Sequence, residues 1–257
     1  MLRAFSTAAT GMSAQQLIVD TISNNLANMN TYGFKRSQVD FQDLMYVRTQ
    51  QPDATVPSGF EVGSGVRPAS TLKIFTQGEM DNTGRDLDVA ITGDGFFQVT
   101  GPGAATYYTR DGSFRMDEKG TLVTSSGFAL SPAITIPPDA RSITIAGDGT
   151  VSVYSGSNSA ATSVGTIAVV RFANPSGLTS EGRNLLAETA ASGAPITGTP
   201  GQNGVGALQQ GLLERSNVQM VTELVALITA QRAYETNSRA IQAGNEMLTA
   251  ANRLGGG

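Results

Sequence analysis

The chain has 257 residues, of which 40% are hydrophobic and 15% charged, with a formal net charge of −4. Cysteine and histidine are both absent, which removes disulfides, thiolate nucleophiles, Cys/His zinc sites and histidine general bases. The acidic balance argues against a nucleic-acid-binding protein. The low charge is made up by 30 glycines with Ser, Thr, Ala, Asn and Gln, so hydrogen-bonding side chains stand where a monomeric protein usually carries charge.

Residues 1–34 contain two charged residues, Arg3 and Asp20. Leu2, Phe5, Ala9, Met12, Val19 and Leu26 recur at spacings of three and four, with Gln16 and Ser23 filling the remaining seam positions. The pattern predicts a helix with a second apolar row of Leu17, Ile18, Ile22 and Met29. An isolated amphipathic helix carries a charged outer face; this one carries Ser, Thr, Ala, Asn and Gln, which predicts neighbours around most of its circumference. It should stop near Asn28 to Asn30, before the break at Tyr32-Gly33. The N-terminus does not read as a cleavable signal peptide, since no compact apolar run or cleavage site follows Arg3. No stretch reaches the ~20 apolar residues of a membrane span, so direct membrane insertion is not expected.

Residues 35–70 open with KRSQVDFQDLMY, where Val39 and Phe41 alternate as in a strand. VRTQQPDATVPSGFEVGSGVRPAS then brings Pro52, Pro57 and Pro68, and reads as an extended or looped connection rather than a helix. It is long for a plain connection, which hints at a role in contacts.

Residues 71–192 read as a β domain. Short runs at 87–91, 96–99, 106–109, 121–124, 133–136, 142–145, 150–154 and 166–172 are separated by turn signals such as Gly93-Asp94-Gly95, Asp111-Gly112 and Gly147-Asp148-Gly149. A Gly/Pro-rich return path fills 193–206. The Asp-Gly turns lack the regular oxygen-ligand spacing of a calcium loop. Asp86 and Asp88 alternate onto one strand face, with Leu87 and Val89 packing inward, and nothing marks them as an acid/base pair. Gly93-Asp94-Gly95 lacks the rest of a dinucleotide fingerprint, and no Walker-type loop is present. No cofactor and no metal is expected.

ALQQGLLE (207–214) leads into the longest periodic segment, Ser216 to Leu254. Leu224, Leu227, Tyr234, Ile241 and Leu248 lie on a heptad seam, with Gln231, Ser238 and Asn245 between them. Ser216 and Gln219 fit a capping box. A helix throughout would be roughly 57 Å long, too long to bury itself in one small domain, and the N-terminal helix is its natural mate. Polar seam residues such as Gln16, Gln231 and Asn245 cost stability and fix register and partner number. Spacing leaves the pair parallel or antiparallel.

ISNNLANMNTYGFKR (22–36), DVAITGDGFFQV (88–99), YTRDGSF (108–114), PAITIP (132–137) and SNVQMVTELVALITAQRAYETNSRAIQAGNEML (216–248) together resemble the bacterial flagellar rod and hook axial proteins across nearly the whole chain, most closely the distal-rod members. The resemblance implies an α+β fold in which long terminal helices pair as a coiled coil around an inserted, mostly antiparallel β domain with extended connecting segments. It divides the chain into an inner-core helix (1–34), a connecting segment with a distal-rod-like insertion (35–70), an outer β domain (71–206), and a return segment with the second inner-core helix (207–257). It implies a non-enzymatic subunit of a hollow helical homopolymer that transmits motor torque. The implied partners are further copies of the chain, proximal rod proteins, hook protein, P-ring and L-ring proteins and the type III export apparatus. The implied location is the basal body from periplasm to outer membrane, reached without a cleaved signal. Assembly is assigned to Leu2, Phe5, Met12, Val19, Leu26, Leu224, Leu227, Tyr234, Ile241 and Leu248. The insertion, marked by Tyr46, Pro52, Pro57 and Gly65, is shorter than that resemblance leads one to expect, and in the family it is linked to a straight, stiff filament. Proximal rod or hook subunits are the nearest alternatives; a secreted β-rich adhesin or hydrolase is the alternative of another class.

Overall fold

The computed structural model describes residues 2–50, 60–155 and 161–255. The chain forms two compact units: Met1–Ala27, Ser37–Lys73 and Gln219–Gly257 make the first, and Asn28–Arg36 with Ile74–Val218 make the second. The whole is α+β, with a helix at each end and strands between them.

In the first unit, helix α1 spans Leu2–Ala27 and helix α2 spans Met220–Gly255. At 36 residues, α2 is about 54 Å long. Helix α1 has no acid in its first turn and no base in its last, so dipole compensation contributes little and side-chain packing must hold it. Helix α2 starts four residues after Ser216. The predicted capping box is therefore corrected: Ser216 Oγ accepts Val218 N–H in the turn before the helix, and the carbonyl of Gln219 accepts the first helical N–H, from Glu223.

Within residues 37–73, the described stretches 37–50 and 60–73 pair with each other as strands. Strand β1 (Ser37–Asp43) pairs antiparallel with β4 (Val66–Lys73), and β2 (Val47–Gln50) with β3 (Phe60–Val62). The register Asp43↔Val66 continues as Val47↔Val62, so the two pairs form one ribbon, joined where Leu44 N–H donates to Gly65 O at 2.8 Å. A register shift between Asp40 and Phe41 lies opposite Pro68. Proline has no N–H for the ladder, and a bulge is where a strand tolerates it. Pro52 and Pro57 lie outside the described residues.

The second unit is β-rich, and all its strand pairs among the described residues are antiparallel. Phe96–Thr100 is the hub of its largest sheet: Thr106–Thr109 pairs along one edge, and Val169–Arg171 and Ala129–Leu130 share the other. Alternation sends Phe97 and Val99 into the main core with Phe114, Leu122 and Ile167, and sends Phe96 to a second cluster with Tyr108, Phe172 and Leu186. Edge-to-face rings lock both sides, Phe97 on Phe114 at 5.0 Å and Tyr108 on Phe172 at 4.7 Å between centroids, the geometry that ring quadrupoles favour.

Two sequence expectations are corrected here. Residues 133–136 form no strand, only a bridge at Thr135 to Thr121. Prolines at 132, 137 and 138 remove ladder donors, and Ile134 and Ile136 enter the core from irregular backbone. Asp86 and Asp88 do not share a face. Asp86 is exposed, whereas Asp88 is buried, accepts Thr83 Oγ1–H at 2.6 Å and lies 3.7 Å from Arg85.

Candidate assembly surface

The arrangement of the two helices follows from three contacts within the first unit. Asn25 Nδ2 donates to Glu223 Oε2 at 3.4 Å. A Cβ added to Gly11 would stand 2.9 Å from Asn237 Nδ2, and one added to Gly244 would stand 2.7 Å from Phe5 Cζ. Rising numbers in α1 meet falling numbers in α2, so the pair is antiparallel. On α2 the facing positions recur every seven residues as Glu223, Ala230, Asn237 and Gly244; on α1 they include Asn25 and Gly11. These are small or polar side chains. Glycine and alanine let the backbones approach closely, and each glycine is the hole for the opposing Phe5 or Asn237.

The polar members are satisfied locally. Asn25 is 1% exposed, and its amide pairs with Ser37 as a strand would, donating to Ser37 O at 2.8 Å and accepting Ser37 N–H at 2.9 Å. One residue thus ties the end of α1, the start of the ribbon and the first turn of α2. Farther along, the ribbon lies against α1 at Gly65, where a Cβ would fall 2.2 Å from Thr10 Oγ1 and φ is +107°. Only glycine fits that backbone at that separation.

Apart from Phe5, the predicted seam residues fall around this interface rather than along its centre. Phe5 is half-buried over Gly244, and Met12, Val19, Leu26, Leu227, Ile241 and Leu248 are half-buried at its flanks. Leu224 and Tyr234 are exposed, and so is Tyr46 on the ribbon. The side chain of Leu2 lies outside what is described. Gln16, Val19, Gln231, Tyr234 and Glu235 line an open groove of about 500 Å³ on the helix pair.

The sequence reading missed what lies on the far side of α2. Val221, Leu224, Val225 and Ile228 are 75, 39, 59 and 51% exposed; the spacing i, i+3, i+4, i+7 makes them one stripe. Beyond it the same outer face turns polar, with Arg232, Glu235, Arg239, Gln242 and Glu246 all exposed. The expected heptad crossed this stripe only at Leu224. No helix among the described residues is long and apolar enough to cross a membrane.

A β-rich unit and a helix pair that leaves an apolar stripe uncovered define a structural protein built for association. Three family models match the chain: "Flagella basal body rod protein" over residues 5–35, "Flagellar hook protein FlgE/F/G D1 domain" over 90–153, and "Flagellar basal body rod FlgEFG protein C-terminal" over 209–254. The flagellar basal-body rod protein FlgG of Buchnera aphidicola subsp. Schizaphis graminum is 49% identical, covering 95% of this chain and 96% of that protein. FlgG of Borreliella burgdorferi is 48% identical over 99% of both chains, and FlgG of Caulobacter vibrioides is 45% identical over 98% of this chain and 99% of its own. The chain belongs to the flagellar basal-body rod protein family of the FlgG type. It is a structural component of the flagellar basal body and not an enzyme.

Proposed function

We propose that the chain is the subunit of the distal rod, polymerising into a hollow helical filament that carries motor torque to the hook. The observation that carries this reading is the apolar stripe Val221, Leu224, Val225 and Ile228, left in water on a helix whose opposite face is already occupied by α1. The occupant of the stripe is a neighbouring copy of the chain. A contact between two different patches repeats head-to-tail and, when it does not close into a ring, builds a filament.

The helix pair then acts as a short antiparallel coiled coil in the inner core of the filament. Phe5 closes the pair's own seam over Gly244; Met12, Val19, Leu26, Leu227, Ile241 and Leu248 flank that seam and reach toward neighbours, with Leu2 at its end and Leu224 and Tyr234 on the free surface. The ribbon with Tyr46 and Gly65 stiffens the assembly, and the sequence segment that carries Pro52 and Pro57 belongs to the same rod-specific role. Proximal rod proteins below, hook protein above, and the P-ring and L-ring proteins around the shaft are the further partners of this reading. The type III export apparatus is its route from the cytoplasm to a position between periplasm and outer membrane. The names and near-full-length similarity of the FlgG relatives support it.

Electron microscopy tests it directly. Basal bodies carrying a tagged chain should show label on the shaft between proximal rod and hook, and the purified protein should form filaments. Label elsewhere, or a protein that stays monomeric at every concentration, refutes the reading.

A further inference from the structure

The chain crosses between the helix-and-ribbon unit and the β unit at 27/28, 36/37, 73/74 and 218/219. Three segments of the β unit therefore serve as passages: 28–36, 74–79 and 212–218. They are far apart in sequence, and one side chain of the third reaches the other two. Asn217, in the last passage, accepts the backbone N–H of Arg36 at 2.8 Å through Oδ1. Its Nδ2 donates to Ile74 O at 2.8 Å, Thr76 Oγ1 at 2.9 Å and Thr76 O at 3.1 Å. The backbones are also joined directly, Ile74 N–H to Arg36 O at 2.9 Å, Gly33 N–H to Glu214 O at 2.8 Å and Arg215 N–H to Glu79 O at 2.8 Å.

Beneath this amide lies a buried charge cluster bridging the same passages. Lys35 Nζ donates to Glu214 Oε1 at 2.5 Å and to Thr76 O at 2.7 Å, and Gly78 N–H donates to the same Glu214 oxygen at 2.9 Å. Arg110 Nε stands 3.2 Å from Glu214 Oε2, while its other nitrogens are tied to Gly95 O and Gly93 O at 2.8 and 2.9 Å. Lys35, Arg110 and Glu214 are 3, 5 and 2% exposed. Two cations share one carboxylate, so this is not the arrangement that would maximise stability; apolar packing often serves that purpose as well. It does fix geometry, because each charge must keep its partners. At Gly78 the passages run so close that a Cβ would lie 2.0 Å from Arg215 O.

We infer that Asn217, with the Lys35–Glu214–Arg110 cluster beneath it, is a load-sharing clamp: it gathers the passages to and from the helix unit so that a pull or twist entering along one is borne by all three. Asn217 is a positioning residue for the mechanical role, and the inference rests on the rod reading above. One half-buried amide in the last passage thus bonds the first passage through Oδ1, at Arg36, and the second through Nδ2, at Ile74 and Thr76, more partners than a turn needs.

The test uses the full chain with Asn217→Ala, Asn217→Asp and Thr76→Val, both purified and expressed in a motile cell lacking the native gene. In Asn217→Ala the Arg36 amide loses the acceptor Asn217 supplied, so its hydrogen exchange should accelerate by at least about tenfold, while the thermal transition of the β unit is unchanged. Asn217→Asp keeps that acceptor and should protect Arg36 as the native chain does, yet release Ile74 and Thr76. Thr76→Val removes one acceptor and should give a weaker form of the same defect. In cells, Asn217→Ala and Asn217→Asp should assemble rods in native number and swim normally in dilute medium, with a deficit that grows as medium viscosity rises. A residue that merely supported folding would lower rod number at every viscosity. Native swimming under load despite lost Arg36 protection overturns the clamp, as does a rod-number defect independent of load. Absence of the native chain from basal bodies would instead sink the rod reading and is scored separately.

Discussion

Val225→Asp isolates the apolar stripe from everything else the helices do. Val225 is 59% exposed and points away from the α1 interface, so the monomer loses little; surface substitutions of this kind stay within about 0.5 kcal/mol. The four stripe residues leave in water the equivalent of about two whole aliphatic side chains, worth about 3–6 kcal/mol when covered. Aspartate forfeits roughly 1–2 kcal/mol of that and adds the cost of an unpaired carboxylate in an apolar contact, typically several kcal/mol. An increase of at least about 100-fold in the concentration needed for polymerisation should follow, since each tenfold corresponds to about 1.4 kcal/mol. Sedimentation of filaments across a concentration series reads this, with circular dichroism and thermal melting of the unpolymerised protein as the control for folding. Gln242→Asp sits on the polar half of the same outer face and should assemble like the native chain. If Val225→Asp polymerises at the native threshold while its helices are intact, the stripe is not the assembly contact and the proposal built on it fails.

Three further perturbations probe the units themselves. Glu214→Leu strips the buried carboxylate from between Lys35 and Arg110, and should destabilise the β unit by about 3–5 kcal/mol, seen as a lower midpoint in urea. Gly65→Val forces a branched side chain into a φ of +107° with Thr10 Oγ1 2.2 Å from its Cβ; the ribbon should lose protection from hydrogen exchange while the β unit keeps its own. The Tyr108 phenol, buried and facing Glu188 Oε2 at 3.3 Å, is pushed up to about 12 by burial first and the Glu188 charge second. An unfolded tyrosine ionises near pH 10, so the unfolded state releases its proton first. That share of stability, on the order of 2 kcal/mol, is intact below pH 10 and lost as the pH rises toward 12; Tyr108→Phe should flatten the decline in that window.

The parts legible in the sequence were those whose signal is local. Thr106–Thr109 is visible as a short aromatic, β-prone run between turn signals, and the end of α1 as a glycine after an asparagine-rich stretch. Strands such as Arg115–Met116 and Leu212–Glu214 were not, because they are two or three residues long and owe their pairing to neighbours remote in sequence. The central helix interface was missed for a different reason. A search for apolar recurrence cannot find a heptad of Glu223, Ala230, Asn237 and Gly244, since two of its members are polar and two have almost no side chain. The predicted heptad includes Leu224 but not Val221, Val225 and Ile228, which share the outer face with Leu224 and not the rest of that heptad. Asn217 carried no signal as a hub, because its partners Arg36, Ile74 and Thr76 are brought near only by the fold.

The two faces of α2 divide the work that one apolar seam was expected to do. A polar and small seam makes an intramolecular pair that is specific in register: Asn25 must meet Glu223 and Ser37, and Phe5 must meet Gly244, so a slip by one turn would bury Glu223 without its amide and set Phe5 against a larger side chain. Such a seam contributes modest burial, because glycine and alanine offer little area. The area that remains is concentrated outside, over the first nine residues of α2, where nothing among the described residues covers it. Specificity is therefore placed where the partner is always the same chain, and hydrophobic area where a separate molecule must supply the other half. Exchanging the two should invert the behaviour. Filling the seam through Ala230→Leu while removing the stripe through Val225→Ser and Ile228→Ser should give a chain with a crowded seam whose assembly threshold has risen, measured by the same sedimentation series. If that triple variant assembles at the native threshold, hydrophobic area on the outer face is not what drives association.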